Sequence, residues 1–357
     1  MNFNIFFIKR KTTVDRELKR FFADREKEYK NLDSLLFEMT VNVRKHVLRG
    51  GKRGRPFLCF LAYKLVGGID NKAITRASIS LELLHQFLLT HDDIVDRDEK
   101  RYGGPTLEMV YKDIFKRKFG VDENHPGKAL AMIAGDLLEQ LGYKALYSSE
   151  FGEKIVLEAA QEINKVAIET VAGWQIQYFQ NFELISEANQ KQFLKGMELV
   201  SAKYSFELPL MVGLILAGKK QVYEKILTKY AYHVGMAYQI QDDILGVFGK
   251  SKKTGKPSGN DVREGKKTLL ILKAYKNASS KEKEFMKKVI GTDLNSRELN
   301  QVREIIKTTG SFDESKKMAQ DHIIKGKSVL EKLPRKADKQ AIEKFKQLAD
   351  FAVKRKF

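Results

Sequence analysis

The chain has 357 residues, 43% hydrophobic and 31% charged, with 65 Lys plus Arg against 46 Asp plus Glu for a net charge of +19. No apolar run reaches the roughly 18 residues that a bilayer span needs, and the single cysteine, Cys59, excludes an intramolecular disulfide and a zinc constellation. The charge asks for an anionic partner; no nucleic-acid module signature appears, whereas diphosphates or a peripheral contact with an anionic membrane fit.

The first residues, with Phe3, Ile5, Phe6, Phe7 and Ile8, lack a basic lead-in and a small-residue cleavage site, so residues 1–20 read as a frayed or docked terminus rather than a signal peptide. A reducing cytoplasm is the simplest setting. Long stretches then carry apolar residues three and four apart, as in Leu130, Ile133, Leu137, Leu141 and Ala145, which predicts helix after helix. Breaks are expected where Gly, Pro and Asn gather: Gly67-Gly68, Lys100 to Pro105, Gly120 to Gly127, and Gly249 to Gly259. No period-2 pattern is sustained, no repeat is visible, and residues 280–357 form Lys/Glu-rich amphipathic helices. The expectation is all-α: one domain over 1–357, an antiparallel helical bundle around a central cavity.

Chemistry concentrates in a few segments. An apolar stretch from Leu81 ends in Asp92-Asp93-Ile94-Val95-Asp96, and helical spacing puts Asp92 and Asp96 on one face. A second apolar stretch ends in Gln241-Asp242-Asp243-Ile244-Leu245. One such pair is usually a solvated helix end; two with the same lead-in, on facing helices, would make an oxygen-lined cage. Mg²⁺ takes carboxylate oxygens and completes its shell with water and substrate phosphate, so a cage of this kind predicts a diphosphate ligand. Basic groups for the phosphates stand in Gly51-Lys52-Arg53-Gly54-Arg55-Pro56, with Pro56 suited to a first helical turn, and in the Lys-rich run Thr254 to Thr268. Taken singly, each of these basic segments is a solvated loop.

The order of these motifs resembles the trans-isoprenyl diphosphate synthases of short-chain type, from about Gly50 to Lys267. Five separated segments agree: the loop at Lys52, the acidic run at Asp92, Ser201-Ala202-Lys203-Tyr204-Ser205-Phe206, the acidic run at Asp242, and Lys256 with Lys266. The resemblance implies that Asp92, Asp96 and Asp242 ligate the metal, supported by Asp93 and Asp243, with about three Mg²⁺ ions bound alongside the diphosphate. It further implies that Lys52, Arg55 and His85 hold isopentenyl diphosphate, and that Arg101, Gln239, Lys256 and Lys266 contact the allylic diphosphate or close over it. A homodimer is expected on the same ground.

Departures from the family pattern accompany the agreement. Tyr102 stands where a second arginine is usual, Val200 where a lysine is usual, Gln177 where an acid is usual, and Gly246 where an aspartate can close the second acidic motif. Lys203, about one helical turn beyond Val200, is the candidate replacement for the missing lysine. The mechanism implied is ionisation of an allylic diphosphate, stabilised by metal, Arg101, Lys203 and Lys256, followed by attack of the isopentenyl π bond and loss of a proton to the departing pyrophosphate. No protein nucleophile is needed. Product length should depend on the residues a turn before Asp92, Phe87 and Leu88; bulky Phe87 points to a C20 product, with C15 the nearest competitor. The alternatives are a longer-chain synthase, a catalytically weak or regulatory prenyl-diphosphate-binding paralogue, and a basic helical protein binding nucleic acid or membrane.

Overall fold

The computed structural model describes residues 2–69, 72–249 and 259–354. The fold is all-α, as the periodicity predicts; the strands among the described residues are the two-residue β1 (Lys100–Arg101) and β2 (Gly104–Pro105), paired antiparallel with Arg101 opposite Gly104. Contacts divide the chain into two compact units, Met1–Lys64 with Gly68–Ala160, and Leu65–Gly67 with Gln161–Phe357.

The first unit contains α1 (Phe3–Lys30), α2 (Ser34–Arg49), α3 (Gly54–Leu65, which ends in the other unit), α4 (Lys72–Val95), β1, β2, α5 (Leu107–Phe119) and α6 (Asn124–Tyr147). Its core gathers Val14, Leu18, Phe21, Val47, Leu83 and Leu138. The terminus is docked and not frayed: Phe7 meets Phe57 edge-on at 4.8 Å, and buried Arg10 lies over the Phe60 ring at 4.0 Å. α4 is buried nearly all round, which Ser78, Ser80 and Thr90 tolerate because their hydroxyls bond within their own turns: Ser78 Oγ to Thr75 O at 2.9 Å, Ser80 Oγ to Ala77 O at 2.6 Å, Thr90 Oγ1 to Gln86 O at 2.8 Å. The break after α5 is shorter than the sequence suggests. α6 begins at Asn124, so Pro126 falls in its first turn, where a missing N–H costs nothing.

Helix α7 (Glu153–Phe182) leads into the second unit, followed by α8 (Gln190–Met197), a π-helical stretch (Glu198–Glu207), α9 (Leu208–Leu216) and α10 (Lys220–Phe248). The π pattern shows in the Leu208 N–H donating to the Lys203 carbonyl, and it ends at Pro209, which has no N–H to give. The run Gln190–Leu216 is long and apolar enough to cross a membrane by length and composition, contrary to the sequence reading, yet 78% of its apolar window is buried. It is a core helix. α10 crosses the π stretch at Gly235, where a Cβ would come within 2.5 Å of the Ala202 Cα.

The rest comprises α11 (Asn260–Arg263), α12 (Leu269–Asn277), α13 (Ser280–Val289), α14 (Ser296–Thr308), α15 (Ser311–Val329) and α16 (Lys339–Val353). α13 and α14 open with reciprocal capping pairs, Ser279 with Glu282 and Asn295 with Glu298, which fix where these amphipathic helices start. Tyr230 of α10 is fully buried against Phe345 of α16, rings 5.1 Å apart, and donates its hydroxyl to the Phe345 carbonyl at 2.7 Å.

Candidate active site

Within the first unit, the acidic cluster forms where α4 stops. The Asp96 N–H still closes on the Asp92 carbonyl at 2.8 Å, which keeps both residues in helical register, and Arg97 then takes a left-handed φ of 57°. That turn brings Asp98 back toward the β1–β2 ribbon. Arg101, on β1, is the counter-ion of the cluster: its Nε donates to Asp93 Oδ1 at 2.6 Å, and Nη2 lies 3.3 Å from Asp92 and 3.4 Å from Asp98. Burial drives the Asp93 carboxyl up to about 7, against the pull of Arg101 and with a smaller push from Asp92 and Asp98. Arg49 of α2 steadies the ribbon by donating to the Pro105 carbonyl at 2.6 Å.

The basic loop between α2 and α3 splits its three cations. Lys52 is exposed and Arg55 half-buried. Arg53 turns inward at φ 55°, is 2% exposed, and donates to Asp15 at 2.8 Å, Glu82 at 2.6 Å and the Val47 carbonyl at 2.7 Å. Glu82 also accepts from Gln86 at 3.1 Å, and Gln86 meets the Tyr102 hydroxyl at 3.4 Å. Tyr102 therefore stands as a neutral link between the ribbon and the loop. His85 is held well below the usual histidine range, by burial first and then by the charges of Arg55, Arg101 and Arg53, so the unit does gather Arg55, His85 and Arg101. Upstream on α4, Phe87 packs edge-on to His91 at 4.8 Å and Leu88 is buried.

In the second unit, α10 carries the other cluster. Asp242 is exposed at its surface, while Asp243 is 5% exposed and accepts from Gln239 Nε2 at 2.8 Å. Gln239 is aimed by Ser201, whose hydroxyl donates to its Oε1 at 2.5 Å. Burial, then the charge of Asp261, holds the Asp243 carboxyl well above the carboxylate range. Lys266 lies 2.5 Å from Glu264 and 3.6 Å from Asp261. Lys256 falls outside the described residues.

Lys203 is engaged elsewhere. Its ammonium pairs with Glu169 Oε2 of α7 at 2.7 Å and lines a depression with Glu207, Thr228 and His233. Val200 itself is a packing residue, its methyl group set against Gly173. The sequence reading offered Arg53 only within the basic loop, without its buried partners, and passed over Asp98 and Asp261. Only Asp98 had a local signal, its spacing of three residues before Arg101; the other two act through chain segments distant in sequence.

Among the described residues, no three His, Cys, Asp or Glu side chains are preassembled as a metal cage. One oxygen on each buried aspartate, Asp93 Oδ2 and Asp243 Oδ2, has no hydrogen-bond partner among the described residues, leaving acceptor capacity in both clusters.

A family model for polyprenyl synthetases matches residues 38–308. The geranylfarnesyl diphosphate synthase of Aeropyrum pernix is 32% identical over 315 residues, covering 87% of this chain and 92% of that protein. The geranylgeranyl diphosphate synthase of Saccharolobus solfataricus is 32% identical over 314 residues, 86% and 87% of the two chains. Among solved structures, the geranylgeranyl pyrophosphate synthase of Corynebacterium glutamicum, complexed with isoprenyl diphosphate and magnesium, superposes with a TM-score of 0.90 at 25% identity over 98% of this chain and 99% of that one. The family model covers most of the chain and the relatives nearly all of it: this protein belongs to the polyprenyl synthetase family of prenyltransferases.

Proposed function

We propose that the protein condenses isopentenyl diphosphate with an allylic diphosphate, with Mg²⁺, to give geranylgeranyl diphosphate. The observation that carries this reading is the pairing of Arg55, His85 and Arg101 with an acidic cluster at the end of α4, repeated in carboxylate chemistry at the end of α10. Asp92 and Asp96 would hold magnesium in the first cluster and Asp242 in the second, Asp93 and Asp243 supporting them. When bound, the metal supplies Lewis-acid stabilisation of the leaving pyrophosphate.

The chain's own groups do the rest. Lys52, Arg55 and a neutral His85 hold the diphosphate of the isopentenyl nucleophile; Arg101, Gln239, Lys256 and Lys266 take the allylic diphosphate. Fixed cations and amides in a site that excludes water stabilise developing charge without reorganising, which is where most of the rate gain originates. The buried apolar wall of α4 shields the carbocation from hydrolysis, and the proton lost in the coupling step goes to the departing pyrophosphate.

The assay is direct: incubate the protein with isopentenyl diphosphate, allylic primers and Mg²⁺, then size the products. C20 product supports the proposal; Mg²⁺-dependent ligand binding with no elongation favours the weak or regulatory paralogue instead. A C25 product is the second reading for length, favoured by the name of the Aeropyrum relative. A homodimer belongs to the same proposal, supported by apolar side chains exposed on α7, among them Ile168 at 64%, Phe179 at 65% and Phe182 at 76%. So does a reducing cytoplasm, which suits the buried Cys59, its thiol pushed up to about 12 by burial.

A further inference from the structure

Two imidazoles meet inside the second unit, between helices that pack closely. α15 approaches α10 at Gly326, where a Cβ would come within 3.1 Å of a Val234 methyl and 3.5 Å of the His233 Cβ. His322, one helical turn before Gly326, is thereby brought onto His233, Nδ1 to Nδ1 at 3.1 Å. Tyr232 sets both rings, its own ring centroid 5.3 Å from that of His233 and 5.9 Å from that of His322. Both histidines are half-buried, and His233 borders the open depression that Lys203 lines, so a small ion can reach the pair from solvent.

The spacing of the two nitrogens is that of a chelate. Nitrogens about 2.0–2.1 Å from one metal ion stand about 2.9 Å apart at a right angle and about 3.3 Å apart at the tetrahedral angle. The observed 3.1 Å falls between the two. When both rings are neutral, one Nδ1 carries a proton and donates it to the other; moving that proton through solvent to Nε2 of its own ring leaves two lone pairs converging on one point, with no change of charge. Neutral rings are what the surroundings enforce. Burial, then Lys325, holds His233 below the usual histidine range; burial, then His233 and Lys325, against the pull of Asp321, holds His322 down to about 4. Unprotonated imidazole is the form that binds metal. The charges nearby are mixed in sign, Lys325 against Asp321 on α15 and Glu198 bearing on Tyr232, so a cation is not turned away.

We propose that His233 and His322 form a two-imidazole site for a divalent transition-metal ion such as Zn²⁺, which clamps α10 to α15. Imidazole suits zinc, nickel and copper, whereas Mg²⁺ takes oxygen, so this site and a diphosphate-bound magnesium do not compete for one ion. No third His, Cys, Asp or Glu joins the pair among the described residues, and water completes the shell. The ion is therefore held exchangeably, in contrast to the closed four-ligand sites of structural zinc.

The test is calorimetric titration of Zn²⁺ into the full-length protein with Mg²⁺ in excess, so that sites built from oxygen are already filled. His233→Ala and His322→Ala should each weaken Zn²⁺ binding about ten-fold or more with an unchanged helical spectrum. The double variant should lie within about three-fold of either single one, because one imidazole alone does not chelate. Asp242→Asn, nine residues and about 13 Å further along α10, should bind Zn²⁺ as the parent does. Zn²⁺ should also raise the melting temperature of the parent and not that of the histidine variants. A parent that binds no Zn²⁺ under these conditions overturns the proposal, and so does parent-like binding by either histidine variant. Should the variants misfold, the parent loaded with Cu²⁺ decides: two nitrogen ligands in its electron paramagnetic resonance spectrum support the site, and one or none overturns it.

Discussion

The guanidinium of Arg101 lies against the carboxylate of Asp93, Nε 2.6 Å from Oδ1, and it also reaches Asp92 and Asp98. A two-residue strand thus supplies the charge that lets an aspartate only 2% exposed sit inside α4. Arg101→Ala removes that cation, and losing one partner of a buried pair costs about 3–5 kcal/mol. Urea unfolding should show the loss, and added Mg²⁺ should return part of it through binding to the folded state. A variant as stable as the parent would show that the pair holds nothing.

Arg53 should prove as important as Lys52 and Arg55, the cations proposed to face ligand. Arg53→Ala strips the charge partner from buried Glu82 and is expected to cost about 3–5 kcal/mol, with KM for isopentenyl diphosphate rising more than kcat falls. Arg53→Lys should not rescue, because one ammonium cannot span Asp15, Glu82 and the Val47 carbonyl together. Tyr102→Phe, which loses a 3.4 Å contact to Gln86, should cost less than about 1 kcal/mol. Steady-state kinetics with unfolding curves on the same preparations separates these outcomes.

Asp92→Asn and Asp242→Asn should each lower kcat/KM on the order of 100-fold or more, as expected for groups that stabilise leaving charge. Lys203→Met tests the opposite case. Its ammonium is already paired with Glu169, so kcat/KM should stay within about three-fold of the parent, the scale of a change away from the chemistry. A large loss in Lys203→Met would return that lysine to the diphosphate.

Buried His46 gives the stability a pH dependence of known sign. Neither ring nitrogen has a hydrogen-bond partner among the described residues, and burial, then Arg49 and Arg101, holds its pKa down to about 3. The unfolded chain takes up the proton near pH 6.5 while the folded chain refuses it, so stability is full above that value and falls as the pH drops toward 3. At pH 5 the loss is about 2 kcal/mol relative to pH 8. His46→Phe should abolish that portion of the acid sensitivity; identical pH profiles for the two proteins would contradict it.

Phe87→Ala should lengthen the product by one or more isoprene units, read by chromatography of the dephosphorylated alcohols. An unchanged product would make Phe87 an ordinary core residue, packed against His91 and nothing more.

Helix content, the break at the ribbon and the two acidic clusters could be read from the sequence because each depends on neighbours within a few residues. Asp92, Asp93 and Asp96 lie at a helix end for local reasons, the apolar spacing before them and the glycines after. The fates of Lys203 and Arg53 were not readable, since both are settled by partners far along the chain: Glu169 on α7 for one, Asp15 and Glu82 for the other. Gly246 looked like a lost acid for the same reason. Nothing local says that Asp261 returns to cover it.

The ion pair between Asp15 of α1 and Arg53 binds the amino-terminal helix to the loop that presents Lys52 and Arg55. If Lys52 and Arg55 hold a diphosphate as proposed, that coupling is reciprocal: undocking α1 weakens diphosphate capture by the factor by which bound diphosphate favours the docked helix. On that proposal the amino-terminal helix belongs to the affinity for substrate through a single ion pair.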